Sequence, residues 1–371
     1  MREKRPGYWE LRVSEGRHAL SGKSLYHTKG FKGTKREAER ALAQLVVDVD
    51  RGKVDTSGDT VEKLLDRWLV HIEHEGRSPT TMRGYRSLKR QLPKGFLHTS
   101  LRKLTPALLD DLYRELAEKP GRGPTSIRRV HAMLRTACNQ AMRWEMLDRN
   151  PAQLASPPRV PASEIEPPPI DDVLTVIKAA ESSNNPENAV VFRLIGATGC
   201  RRSEACGLRW SDVDLTTGKV RIRHAVVQVP GELHQKDTKS HQQRTVTLDK
   251  SSIKILKEHK KATDERARAF EAKLGPNAFV FSSEIDGSQP IPPDRLSQAW
   301  RRLADIEGVE SRLHDLRHLQ ASVLLDAGES ITTVAARLGH RDTATTLRVY
   351  AHLMPGADQR AADIVGDMFG D

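Results

Sequence analysis

Cysteine is scarce in this 371-residue chain: Cys138, Cys200 and Cys206 are the only three. An odd number without a CxxC pair excludes a disulfide framework and a zinc ribbon, and reads as reduced core thiols. Long apolar runs are missing too. Nothing approaches the roughly 18 to 20 residues of a membrane-spanning helix, and the basic, polar start lacks the apolar stretch of a signal peptide. The expected location is therefore the cytoplasm, with the nucleoid. Acidic residues are in deficit, 49 against 60 lysines and arginines, leaving a net charge of +11. The basic residues are spread along the chain rather than gathered in a tail. Such a balance suits a polyanionic partner, DNA or RNA, because each phosphate neutralised releases condensed counterions. The 37% of apolar residues suffices for ordinary cores, and the length for two or three domains.

Three segments follow one another, with a small sheet-plus-helix domain first, over residues 1–55. "GYWELRV" alternates as a strand does, "SEGRHA" can turn the chain, and "SLYHTKGF" reads as a second strand. "GTKREAERALAQLVVDVDRG" opens on Thr34 with Glu37 three residues on, a capping-box pattern, and puts Ala38, Leu42 and Leu45 on one helical face. Arg12, Lys23, Lys29 and Lys32 are candidate DNA contacts on this domain. Residues 56–154 carry only helical signals. "TVEKLLDRWLVHI" makes a stripe of Leu64, Leu65, Trp68, Leu69 and Ile72, and "SPTTMRGYRSLKRQL" starts with a serine cap and a proline in the first turn. About four helices form a bundle whose outer faces hold Arg83, Arg86, Arg128 and Arg129, again candidate DNA contacts. The stretch 155–169, with six prolines, reads as an extended linker.

Residues 170–371 are mixed. Helices are expected at about 171–182 and 187–197, then one strand over "SDVDLTTGKVRIRHAVVQV", a long polar hairpin tip, and a strand at "RTVTL". This segment carries the chemistry. "ATGCRRSEACGLRW" supplies Arg201, Arg202 and Glu204 at a helix end, and "HQKDTKSHQQR" supplies Lys236 and Lys239. "RLHDLRHLQ" places His314, Arg317 and His318 on one helical face. "RLGHRD" supplies His340, and "TTLRVYAHL" holds Tyr350, one of five tyrosines. Each is a weak signal alone.

In order and spacing, these motifs resemble the tyrosine recombinases, the phage integrase family. The resemblance spans essentially the whole chain and implies a multidomain, mainly α fold with small β-sheets. It implies a small β-sheet-plus-helix domain that binds arm sites, a helical bundle that binds core sites, and a mixed α+β catalytic domain. It implies a catalytic set of Arg201, Lys239, His314, Arg317, His340 and the nucleophile Tyr350, with Glu204 in support. Lys239 is preferred to Lys236 by its distance from "RTVTL". The implied activity is site-specific recombination through a 3′-phosphotyrosyl intermediate, integrating or excising a mobile element or prophage, by a homotetramer on double-stranded attachment sites. An accessory DNA-bending or directionality protein fits the same picture.

The chemistry is consistent with that set. A tyrosyl phosphate ester conserves the energy of the broken phosphodiester for rejoining, so no ATP is needed. Two guanidiniums, Arg201 and Arg317, can hold the non-bridging oxygens as charge builds, so no metal or other cofactor is expected. Lys239 is placed to protonate the departing 5′-oxygen, and His314 and His340 to bind the phosphate or help take the phenolic proton. Glu204 orients Arg201 or caps the local backbone.

Two alternatives use the same residues. "HDLRH" has the spacing of a zinc-protease helix, with Asp315 in place of the glutamate and no third ligand evident. A DNA-binding regulator that has lost catalysis, or a topoisomerase-like strand-transfer enzyme, would keep the fold. Past Tyr350, "DQRAADIVGDMFGD" spaces Ala361, Ile364, Val365, Met368 and Phe369 as one apolar helical face, a tail that must dock somewhere.

Overall fold

The structure, a computed structural model, describes residues 1–17, 24–50, 59–161, 166–229, 232–237, 243–340, 342–350, 362–363 and 365–367. Two compact units divide between Pro161 and Ala162.

In the first unit, strands β1 (Arg2–Arg5), β2 (Tyr8–Arg17) and β3 (Ser24–Lys32) form an antiparallel sheet in that order, followed by helix α1 (Lys35–Asp50). The α1 start is the capping box its sequence suggests. Glu37 Oε2 accepts from the Thr34 N–H at 2.8 Å while Thr34 Oγ1 accepts from the Glu37 N–H at 3.4 Å. Alternation along β2 turns Leu11 and Val13 toward Ala38 and Leu45 of α1, and these four are the core of this part. The expected turn at "SEGRHA" is displaced, because Ser14–Arg17 continue β2 in pairing with β3. The basic residues also divide. Arg12 lies opposite Thr28 and Lys32 opposite Tyr8, on the face away from Leu11, whereas Lys29 lies opposite Leu11 on the other face. Arg12 stacks its guanidinium 3.6 Å from the Tyr26 ring centroid. Lys23 lies outside the described residues.

The same unit holds helices α2 (Val61–His74), α3 (Pro79–Arg90), α4 (Lys94–Leu97), α5 (Pro106–Ala117) and α6 (Pro124–Arg143). Thr60, Ser78 and Thr105 cap α2, α3 and α5 through their hydroxyls, and proline opens α3, α5 and α6. The α2 stripe is buried, with Trp68 packed edge-on against Tyr85. Burying such a leucine or isoleucine contributes about 1.5–3 kcal/mol, which is why these short helices hold together only as a bundle. Arg83, Arg86, Arg128 and Arg129 are all exposed. Arg86 is paired with Glu73 at 2.7 Å, and Arg128 reaches the Pro158 carbonyl at 3.5 Å. Residues 155–161 carry no regular secondary structure, and the Ser156 N–H donates to Asp110 Oδ1 at 2.6 Å.

The second unit begins with α7 (Ile170–Glu181), α8 (Glu187–Thr198) and the short α9 (Arg202–Cys206). Strands β4 (Val213–Asp214), β5 (Lys219–Ile222), β6 (His224–Val229), β7 (Glu232–Asp237) and β8 (Arg244–Thr247) follow, then α10 (Lys250–Ala269). Helices α11 (Pro293–Glu307), α12 (Asp315–Asp326), α13 (Ile331–Leu338) and α14 (Thr343–Tyr350) complete it. The single strand expected between 211 and 229 is three strands. β5 pairs with β4 and β8, and the chain then leaves that sheet to form a separate ribbon, β6 with β7. The main core centres on Phe192 packed edge-on against Trp300. A smaller cluster gathers Ala321, Leu325, Val334, Leu338 and Tyr350. The fold is multidomain and mainly helical with small sheets, as the sequence suggests. Among the described residues no helix is long and apolar enough to cross a membrane.

Candidate active site

Helix α8 ends at Gly199, whose φ of 64° lets the chain reverse in the left-handed region that a side chain would strain. A Cβ there would also meet Gln320 Oε1 at 2.0 Å. The reversal presents the Gly199 carbonyl to Arg317 Nη1 on α12 and carries the chain into Arg201, the N-cap of α9. Arg201 is tied at both ends to Glu204: its N–H donates to Oε2 at 3.0 Å and its Nη1 to Oε1 at 2.8 Å. Glu204 is 4% exposed. Burial pushes its carboxyl up, yet the Arg244 hydrogen bond and the Arg244 and Arg201 charges outweigh that and hold it below the ordinary glutamate range.

Arg317 is 3% exposed, and its Nη2 is buried with no hydrogen-bond partner among the described residues. Burial, together with the charges of Arg201 and Arg244, draws it down to about 10, Glu204 opposing; it remains a cation at neutral pH. His314 stands exposed at the N-cap position of α12, without a side-chain capping bond. Its imidazole is drawn down to about 4 by burial and by His318 and Arg317, although its exposure to solvent weakens the burial part. His340 follows Gly339, the left-handed cap of α13, and Thr346 Oγ1 lies 2.7 Å from its Nδ1. Burial and the charges of Arg317 and Arg201 bring it to about 4 as well. Both shifts favour the neutral imidazole. Tyr350, at the end of α14, is 2% exposed and its phenol is pushed up to about 12 by burial, against the pull of Arg317.

Residues 169–356, just over half of the chain, match the phage integrase family. The chain belongs to that family. It is a tyrosine recombinase, a site-specific enzyme that transfers DNA strands. It is 26% identical to a XerC-like tyrosine recombinase of Caldanaerobacter subterraneus over 98% of this chain and 96% of that protein. The ICEBs1 integrase of Bacillus subtilis is 22% identical over 98% of each. The Tn1549 transposon integrase, solved with transposon right end DNA, matches with a TM-score of 0.70 at 19% identity, covering 83% of this chain and all of that one. A lambda integrase solved as a tetramer on a Holliday junction matches at a TM-score of 0.57 and 16% identity, over 92% of this chain and 97% of that one.

In this recombinase Arg201, Glu204, His314, Arg317, His340 and Tyr350 come together from α9, α12, the α13 end and α14. Lys239 lies outside the described residues. Lys236 stands in β7 opposite Ala225 rather than in a loop tip. Arg202 turns the other way, to Ser297 at 2.5 Å and Asp294 at 3.2 Å. The zinc-like pair does not converge, since the rings of His314 and His318 stand at 90° and His318 Nδ1 lies 2.6 Å from Tyr350 Oη.

Two residues not counted in the sequence set belong to the site. One is His318. The other is Arg244, the first residue of "RTVTL", whose Nη2 donates to Glu204 Oε2 and whose Nε donates to the Arg337 carbonyl, both at 2.7 Å. Its guanidinium lies over Gly339, where a Cβ would meet Nη1 at 2.7 Å, so that glycine serves both its φ of 67° and this approach. Arg244 therefore ties the first arginine motif to the turn that carries His340. Glu204→Gln should lower stability by about 3 kcal/mol, the lower end of the range for breaking a buried ion pair, because Arg201 is partly solvated. Denaturant unfolding of the second unit checks this. The folded carboxyl titrates below its unfolded value, so its contribution is present at neutral pH and lost as pH falls through the folded value. The gap between parent and variant should therefore close on acidification.

Proposed function

We propose that Tyr350 is the nucleophile and that Arg201 and Arg317 clamp the scissile phosphate. The observation that carries this reading is the Arg317 Nη2, buried without a partner among the described residues beside Arg201 and Tyr350. A buried N–H left unpaired costs about 1–3 kcal/mol, more on a charged group. A phosphate oxygen arriving with DNA would satisfy it, and two preorganised cations would then stabilise the charge that grows in an in-line displacement. As the Tyr350 Oη–phosphorus bond forms, the bond to the 5′-oxygen breaks. The phenolic proton passes to an imidazole, and Lys239 donates a proton to the leaving oxygen. The reverse step, with the 5′-hydroxyl of a second strand as nucleophile, rejoins the DNA without ATP.

The DNA partner is read from the relatives and from the chain's own charge. A cavity of about 740 Å³ beside Arg201 and His314 is rimmed by Arg202, Arg301 and Arg312, fitting phosphates that flank the scissile one. The parts 1–55, 56–154 and 170–371 act as arm-binding, core-binding and catalytic domains joined by the linker 155–169. On this reading the face of the first sheet with Arg12 and Lys32 meets arm-site DNA. The outer arginines of the bundle, Arg83, Arg86, Arg128 and Arg129, meet the core site. The working assembly is a tetramer on two sites in the cytoplasm; the lambda integrase was solved as a tetramer on a Holliday junction. The tail would contribute to that assembly. Val365 is exposed, and Ala361, Ile364, Met368 and Phe369 lie outside the described residues.

The test is covalent trapping. Duplexes selected by the full chain from a random library, then nicked near the cleaved position, should yield a protein joined to a DNA 3′ end with EDTA present throughout. An adduct that appears only with added divalent metal, or a 5′-linked one, would contradict the arginine clamp.

A further inference from the structure

Of the three described imidazoles around the phenol, one touches it. His318 Nδ1 lies 2.6 Å from Tyr350 Oη. His340 has its Nδ1 engaged by Thr346 Oγ1 at 2.7 Å, and no described hydrogen bond joins His314 or His340 to the phenol. Tyr350 is 2% exposed, so bulk water does not compete as proton acceptor. Its ring sits among Ala321, Leu325, Val334 and Leu338, with the Oη end directed at α12.

The geometry points to His318 as the general base that removes the phenolic proton during attack, with His314 and His340 left to the phosphate. The inference rests on the reading of Tyr350 as nucleophile. Tyr350 O–H donates to Nδ1 of the tautomer that carries its proton on Nε2. When Oη bonds to phosphorus, that proton moves to Nδ1, giving an imidazolium, and the electron pair of the broken bond leaves on the 5′-oxygen. The groups facing His318 are His314, Asp315, Arg317 and Arg312 from α12 and the segment before it, Tyr350 from α14, and His340 after α13. Burial lowers the His318 imidazole, Asp315 opposes, and Arg317 and Arg312 lower it further. It is thus unprotonated at neutral pH and able to accept. Asp315, held by Arg312 at 3.1 Å, is the one described carboxylate among these groups that would favour the imidazolium.

The experiment is single-turnover cleavage of a selected, nicked duplex by the full chain, with Tyr350→Phe run alongside. His318→Asn places Oδ1 where Nδ1 stands, so it can accept the hydrogen bond but cannot keep the proton. It should bind the duplex as the parent does and cleave about 10²-fold more slowly, the lower end for a lost general base. Its rate should keep rising with pH where the parent is level. A 5′-bridging sulfur, which leaves without a proton donor, should not restore it. Cleavage within threefold of the parent with the parent's pH profile would overturn the proposal, and so would full rescue by the sulfur substrate. His318→Gln is judged by the same criteria should Asn not fold. In the parent chain, fluorotyrosine at position 350 should leave the acid limb of the pH–rate profile in place, because an imidazole sets it; a limb that moves down with the phenol would refute general-base assistance. If the parent itself forms no adduct, the Tyr350 reading fails; if parent and His318→Asn form it equally, only this inference does.

Discussion

Arg317→Ala should leave DNA binding within a few-fold of the parent while cleavage falls by about 10²–10³, or about 3–4 kcal/mol in the barrier, the loss expected for one preorganised donor at a developing charge. The split follows from where the side chain sits. At 3% exposure, Arg317 adds little to the surface that attracts DNA, whereas its Nη2 makes no hydrogen bond among the described residues that would hold the fold. Its one described anchor is the Gly199 carbonyl, and removing that bond strands a single acceptor. Burying the guanidinium is itself unfavourable, as its lowered proton affinity indicates, so folding should not suffer in proportion to activity. Arg317→Lys should recover only part of the rate, because an ammonium cannot keep the Gly199 bond and offer a planar N–H to phosphate together. Burst kinetics on the nicked duplex, with binding measured separately, check both numbers. Equal cleavage by Arg317→Ala and parent would remove this arginine from the clamp.

Local signals carried much of the fold into view. The α2 stripe ending at Ile72, the Thr34–Glu37 box and the prolines that open α3, α5 and α6 are each legible because a helix writes its burial and its start within a few residues. Strand pairing is different. β6 shows no clean alternation, only Val226 of its six residues being buried, so the ribbon that it forms with β7 merged with its neighbours in the sequence. The division of Arg12 and Lys32 from Lys29 likewise depends on register, which the sequence of a single strand does not state.

The site was legible through its motifs rather than its contacts. Arg201, His314, Arg317, His340 and Tyr350 could be picked out by order and spacing, but their partners could not. Glu204 and Arg244 are 40 residues apart, and Arg244 and the Arg337 carbonyl 93. No periodicity links such distances. His318 was visible on one helical face with His314 and Arg317 and as half of a zinc-like pair, but its role was not, since a histidine four residues after another looks the same whether it faces a metal or a phenol 32 residues on. Gln320 donates to the Ala197 carbonyl at 2.8 Å and so fastens α12 to the end of α8 beside Gly199.

Tyr350→Phe should abolish covalent capture altogether. Phenylalanine keeps the ring in the cluster of Ala321, Leu325, Val334 and Leu338 and removes the oxygen alone, so site binding and stability should stay close to the parent. What the change leaves is His318 without its contact, a half-buried imidazole whose loss of one hydrogen bond costs about 1 kcal/mol. The loss of chemistry should by contrast be complete, because no other described tyrosine takes part: Tyr113, the other buried one, lies in the first unit with its hydroxyl 2.9 Å from His131. The most direct measurement is mass spectrometry of the trapped parent complex after nuclease and protease digestion. A nucleotide 3′-phosphate on the peptide containing Tyr350, and no modified peptide from Tyr350→Phe, is the predicted result; the modification on any other residue, or an adduct formed by Tyr350→Phe, would contradict the account.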